Sequence, residues 1–148
     1  MPEPFILTSA RPVVPTSLQL EFADGAGFTL DLSGIIKTFR SLARLENPEV
    51  FATASLAEGG RVVVWDNDDN LELAADNLRA RAIEQSGEYS HEFIWNWMAK
   101  NKLTLDAAAR AIGVSRRMLA YYKSGQNPVP RTVALACIGW EAGERKAA

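Results

Sequence analysis

Between Leu103 and Gly125 the chain reads LTLDAAARAIGVSRRMLAYYKSG, and the punctuation of this stretch permits few folds. Thr104 can cap a short helix that runs to Ile112. Gly113 then supplies a residue at home in the left-handed region that a tight turn requires. Ser115 is a second N-cap, opening a helix over Ser115–Ser124 that Gly125 ends. Two short helices joined at a Gly-x-Ser corner read as a helix-turn-helix. The second has the form that enters a DNA major groove.

The flanking sequence supplies a helical core for this pair. Ser90 can cap a helix from His91 to about Asn101, with Phe93, Ile94, Trp97 and Met98 as its buried stripe and Trp95 off it. Ala108, Ala109 and Ile112 point inward from the next helix, as do Leu119 and Tyr122 from the one after. Arg116, Arg117, Ala120, Tyr121 and Lys123 are left facing outward. Pro130 sits where a helix can begin without losing a hydrogen bond, opening a last helix over Arg131 to about Ala142. From Val133 to Trp140 that helix is apolar on more than one face. The surplus predicts packing on the first domain or a two-fold dimer contact.

Charge divides the chain the same way. A formal net charge of −2 argues against a bulk polycation. Residues 1–85, however, carry seven basic against thirteen acidic residues, and residues 86–148 carry nine against five. Asp106 is the single acid between Lys100 and Arg131. An acidic half joined to a basic half points to a separate nucleic-acid module, with domains over 1–86 and 87–148.

The pattern Leu103-Thr104, Ala109, Ile112-Gly113-Val114-Ser115-Arg116, Leu119, Tyr122, Gly125 and Pro130-Arg131-Thr132 resembles the lambda-repressor-like (Cro/XRE) helix-turn-helix family. The resemblance implies an all-α domain and double-stranded DNA as partner. The implied contacts are Thr104, Ser115, Arg116, Arg117, Ala120, Tyr121, Lys123 and Arg131. Arg116 and Arg117 would bond guanine edges or phosphates, Tyr121 a base or sugar, Ser115, Lys123 and Arg131 phosphates. Two positions depart from the family pattern. Leu105 stands where the family often has a DNA-contacting Gln, and Tyr122 stands where a Trp is frequent.

The first half reads as an α+β domain, a small antiparallel sheet with one face covered by helix. Val13 to Leu32 predicts a hairpin, with Leu18, Leu20 and Phe22 alternating with polar residues, Asp24–Gly27 turning, and Phe28, Leu30 and Leu32 returning. Ser33 is expected to cap one helix carrying Ile35, Ile36, Phe39, Leu42 and Ala43 inward. Phe51–Leu56, Arg61–Trp65 and Leu71–Leu73 are expected strands, and Ala75–Gln85 a closing helix. Leu18-x-Leu20-x-Phe22-x-Asp24-Gly25, Asp31-Leu32, Pro48-x-x-Phe51, Val63-x-Trp65 and Leu73-x-x-Asp76-x-Leu78 resemble a small bacterial domain family of unknown function. Proteins of that kind look like partners of small toxin-like proteins.

Catalytic, cofactor and metal sites find little support. Asp66, Asp68 and Asn70 mimic the opening of a calcium loop, but Leu71 stands where Gly is needed and Asn77 where a bidentate Glu should close it. Asp24 and Asp31 read as turn and strand-end residues. Gly25-x-Gly27 and Gly59-Gly60 fall in hairpin turns and not before a phosphate-binding helix. His91 and Cys137 are the only residues of their types, and Cys137 reads as a small buried hydrophobe. No signal-peptide pattern opens the chain and no apolar run approaches the roughly 20 residues of a membrane span. These features predict a cytoplasmic DNA-binding transcriptional regulator with no enzymatic activity. Its first domain would bind a partner, sense a ligand or dimerise. The rival expectation is a protein-interaction adaptor, such as the antidote of a small toxin.

Overall fold

The protein, a computed structural model, is described over residues 3–147. It is an α+β chain, 51% helical and 23% strand. Its contacts divide between Gln85 and Ser86 into two compact units.

The first unit holds two three-stranded antiparallel sheets where the sequence predicts one. In the first sheet, β1 (Leu7–Val13), β2 (Ser17–Phe22) and β3 (Gly27–Asp31) pair in chain order. Leu18 faces Leu30 and Leu20 faces Phe28 across β2 and β3, so the period-2 alternation lands on one face. Leu18, Leu20, Phe22 and Leu30 are all buried. The expected hairpin from Val13 therefore omits β1. Pro12 weakens the strand signal there, and the sheet accommodates it because β1 is an edge strand, paired among the described residues only with β2.

The single helix expected after Ser33 is broken. α1 (Ser33–Thr38) stops at Phe39, whose backbone is extended, and a 3-10 segment follows over Arg40–Glu46. Ser33 does not cap α1. Leu32 holds the N-cap position, while the Ser33 hydroxyl donates to Asp31 Oδ2 at 2.8 Å. Leu42 and Leu45 are buried three residues apart, the repeat of a 3-10 turn, while Phe39 and Ala43 face solvent. The expected strand over Phe51–Leu56 is likewise corrected. Asn47 accepts a bond from the Glu49 N–H and caps α2 (Pro48–Phe51), leaving only β4 (Ser55–Ala57) extended.

β4, β5 (Val62–Trp65) and β6 (Asp68–Ala74) form the second sheet. Asp66 and Asn67 join β5 to β6 with φ of 56° and 50°, a two-residue turn of the kind these residues favour. Arg44 pairs with both Asp66 and Asp68, so the calcium-like run is a salt-bridged turn. Gly60 is buried at φ 90°, and a Cβ there would lie 2.2 Å from the Leu7 carbonyl oxygen. This contact ties the turn before β5 to β1. α3 (Ala75–Gln85) covers the core with Leu78 and Ala82. Each large side chain fully buried there contributes about 1.5–3 kcal/mol.

The second unit comprises α4 (His91–Lys100), α5 (Leu105–Ile112), α6 (Arg116–Ser124) and α7 (Arg131–Ala147). Ile94, Trp97, Ala108, Ala109, Leu119, Val133, Ala134 and Cys137 make its core. Trp97 and Trp140 meet edge to face, 5.7 Å apart. α7 continues past the expected end at Ala142, and its Leu135 and Ile138 are exposed. Among the described residues no helix is long and apolar enough to cross a membrane.

Candidate nucleic-acid interface

The placement of α6 follows from how the helices before it stop. α4 ends with Lys102 at φ 54°, the Leu103 N–H returning to the Met98 carbonyl at 2.9 Å. This reversal delivers Thr104 to the start of α5. The Thr104 hydroxyl oxygen accepts from the Ala107 N–H at 3.2 Å. α5 is then stopped by Gly113 at φ 75°, with the Gly113 and Val114 N–H groups both returning to the Ala109 carbonyl. Ser115 repeats the device, its Oγ accepting from the Met118 N–H at 3.1 Å, and Gly125 closes α6 at φ 81°. Each cap uses a hydroxyl lone pair as acceptor. The O–H proton of Thr104 and of Ser115 is left to donate outward, as to a phosphate oxygen.

Leu119 is fully buried, which fixes the rotation of α6 about its axis. Arg116 and Arg117 consequently face solvent at its N-terminal end. Arg116 Nε lies 3.3 Å from Asp106 Oδ1, the two side chains 67% and 62% exposed. A pair this exposed contributes at most about 1 kcal/mol, so a stronger anion can displace it. Arg117 Nε donates to the Tyr121 hydroxyl at 2.9 Å, and its guanidinium lies 5.6 Å from the centroid of the same ring. That hydrogen bond, more than the charge interaction with Tyr121, raises the Arg117 pKa above its ordinary value.

Lys123 is half-buried, its ammonium 4.0 Å from the centroid of the exposed Trp95 ring on α4. Arg131 is exposed at the start of α7, and Ala120 is half-buried on α6. Leu105 packs against the core, so the position opening α5 offers no polar group. Three partnerships within this surface escape a reading of the residues one by one: Asp106 with Arg116, Trp95 with Lys123, and Tyr121 with Arg117. Only the last carries a local signal, the i,i+4 spacing. Cys137 lies buried in the core beneath, its thiol pushed up to about 12 by desolvation.

Fold and surface together define an α+β protein whose helical unit exposes two arginines at the head of a doubly capped helix pair. The chain is similar to a protein of known crystal structure from Nitrosomonas europaea, described as a "Putative DNA Binding Protein". The two share 38% sequence identity over 97% of this chain and 92% of that one, with a TM-score of 0.86. The chain belongs to the family of that protein. No family model and no curated protein matches it.

Proposed function

We propose that this protein is a DNA-binding transcriptional regulator whose second unit is a lambda-repressor-like (Cro/XRE) helix-turn-helix domain. α6 enters the major groove, with α5 lying across the backbone. The observation that carries this reading is the joint placement of Arg116 and Arg117 at the exposed head of α6. The capped start of α5 reaches the same surface through Asp106. The family relationship to a protein described as DNA-binding supports it. Thr104 and Ser115 donate to phosphates, Lys123 and Arg131 supply further cations, and the first unit binds a partner, senses a ligand or dimerises.

The test is selection of binding sites from genomic DNA with the intact chain, followed by titration across ionic strength. Affinity should fall with salt at a log–log slope of about −0.9 per phosphate neutralised. The double variant Arg116→Ala, Arg117→Ala should lose at least about tenfold on the selected site. If it binds as well as the parent, α6 is not the reading helix. Exposed Leu135 and Ile138 favour a second reading, an adaptor that binds protein through α7. In that case DNA binding is weak or absent even at low salt.

A further inference from the structure

The two neighbouring arginines of α6 are held in different ways. Resting on the reading of α6 as the groove helix, we propose that Tyr121 is a positioning residue that aims Arg117 at a guanine, while Arg116 serves the phosphate backbone. A guanidinium has five N–H donors in one plane. The Tyr121 hydroxyl takes the Nε–H of Arg117, and the tyrosine ring lies beside the guanidinium. The Nη1 and Nη2 groups carry no hydrogen bond among the described residues. They form the end-on fork that meets guanine O6 and N7.

Tyr121 is half-buried and one helical turn along from Arg117, so it restrains the arginine before DNA arrives. Less side-chain freedom then remains to be lost on binding. Arg116 has no such restraint on its own helix. Its Nε faces the Asp106 carboxylate of α5, and both groups are well exposed. A phosphate can replace that carboxylate with little cost, whereas the carboxylate offers guanine O6 and N7 only repulsion. Discrimination among bases therefore passes through Arg117, and sequence-independent grip through Arg116.

The experiment uses the full chain and a duplex selected by it from a random pool. Binding is measured to that duplex, to copies with each guanine in turn replaced by 7-deazaguanine, and to a scrambled duplex, across salt. One replacement should weaken the parent about tenfold and leave Arg117→Ala unaffected. Tyr121→Phe should lose most of that penalty while keeping the parent's melting temperature and salt slope. Arg116→Ala should weaken selected and scrambled duplexes alike and reduce the salt slope by about one. A Tyr121→Phe chain that keeps the full penalty overturns the inference alone, as does a penalty that disappears with Arg116 and not Arg117. A parent with no salt-dependent binding to any duplex overturns both the inference and the DNA-binding reading. A parent that binds all duplexes equally overturns the inference and leaves DNA binding standing.

Discussion

The guanidinium of Arg79 sits 4.9 Å from the centroid of the Phe22 ring, between α3 and the end of β2. The same group pairs with Asp24 at 2.8 Å, donates to the Pro4 carbonyl at 2.7 Å and lies 5.8 Å from the Phe28 ring. With the Arg79 side chain only 13% exposed, this one cation joins the β2–β3 hairpin, the leading segment and α3.

Arg79→Ala should therefore destabilise the first unit by roughly 2–4 kcal/mol, because it leaves the Asp24 carboxylate without its cation and two rings uncovered. Arg79→Lys keeps the charge but loses the planar contact, and should recover only part of the loss. Urea unfolding of the two variants checks the order. Equal stability of Arg79→Lys and the parent would show that charge alone matters.

Gly59 and Gly60 both have positive φ, 66° and 90°, but their surroundings differ. Among the described residues a Cβ on Gly59 meets nothing within 4 Å, whereas one on Gly60 collides with backbone of β1. Gly59→Ala should cost about 1–2 kcal/mol from conformation alone. Gly60→Ala should cost clearly more and lower the melting temperature further. The two midpoints measured side by side decide whether steric contact or backbone angle dominates.

Lys102 adopts φ 54° at the end of α4, a conformation unfavourable to any residue with a Cβ. Lys102→Gly should stabilise the second unit by about 0.5–1 kcal/mol, relief of strain outweighing the extra freedom of the unfolded chain. Thermal unfolding of the 86–148 fragment and of the whole chain reads the effect.

The Asp31 carboxylate accepts from the Ser33 backbone at 2.9 Å, the Ser33 hydroxyl at 2.8 Å and Thr16 at 2.9 Å. These bonds hold its pKa below the ordinary 3.8, the Ser33 backbone bond foremost. A depressed carboxylate pKa contributes stability above the unfolded value, and that contribution is lost as pH falls through the folded one. Stability should thus decline below about pH 4, and Asp31→Asn should flatten part of that acid limb. Denaturant midpoints between pH 2 and pH 6 give the comparison.

Cys137, its thiol pushed up to about 12 by burial, should react with a thiol reagent at pH 8 at least about a hundredfold more slowly in the folded chain than in denaturant. A fast native reaction would mean that the helical core opens readily.

Much of the second unit was legible because its helix ends are written in single residues: Thr104, Gly113, Ser115 and Gly125. The β2–β3 hairpin was equally plain from strict alternation around Asp24-Gly25. The first unit was harder where one spacing suits two structures. Leu42 and Leu45 fit an α-helix or a 3-10 turn, and no glycine or proline marks the break at Phe39. Asn47-Pro48 carries a helix start, but the following turn is too short for periodicity to reveal. Arg79 against two phenyl rings, and Arg116 against Asp106, join residues on different elements. No window along the chain could bring them together.

Both short helices of the second unit are stopped at each end by a residue of fixed geometry, so the stretch from Thr104 to Gly125 has a set length as well as a set shape. One residue inserted between Arg117 and Leu119 would turn everything after it by about 100°. Leu119 would swing out of the core and the face carrying Tyr121 would leave Arg117. The outward positions can thus be exchanged for other side chains far more readily than a single residue can be added or removed.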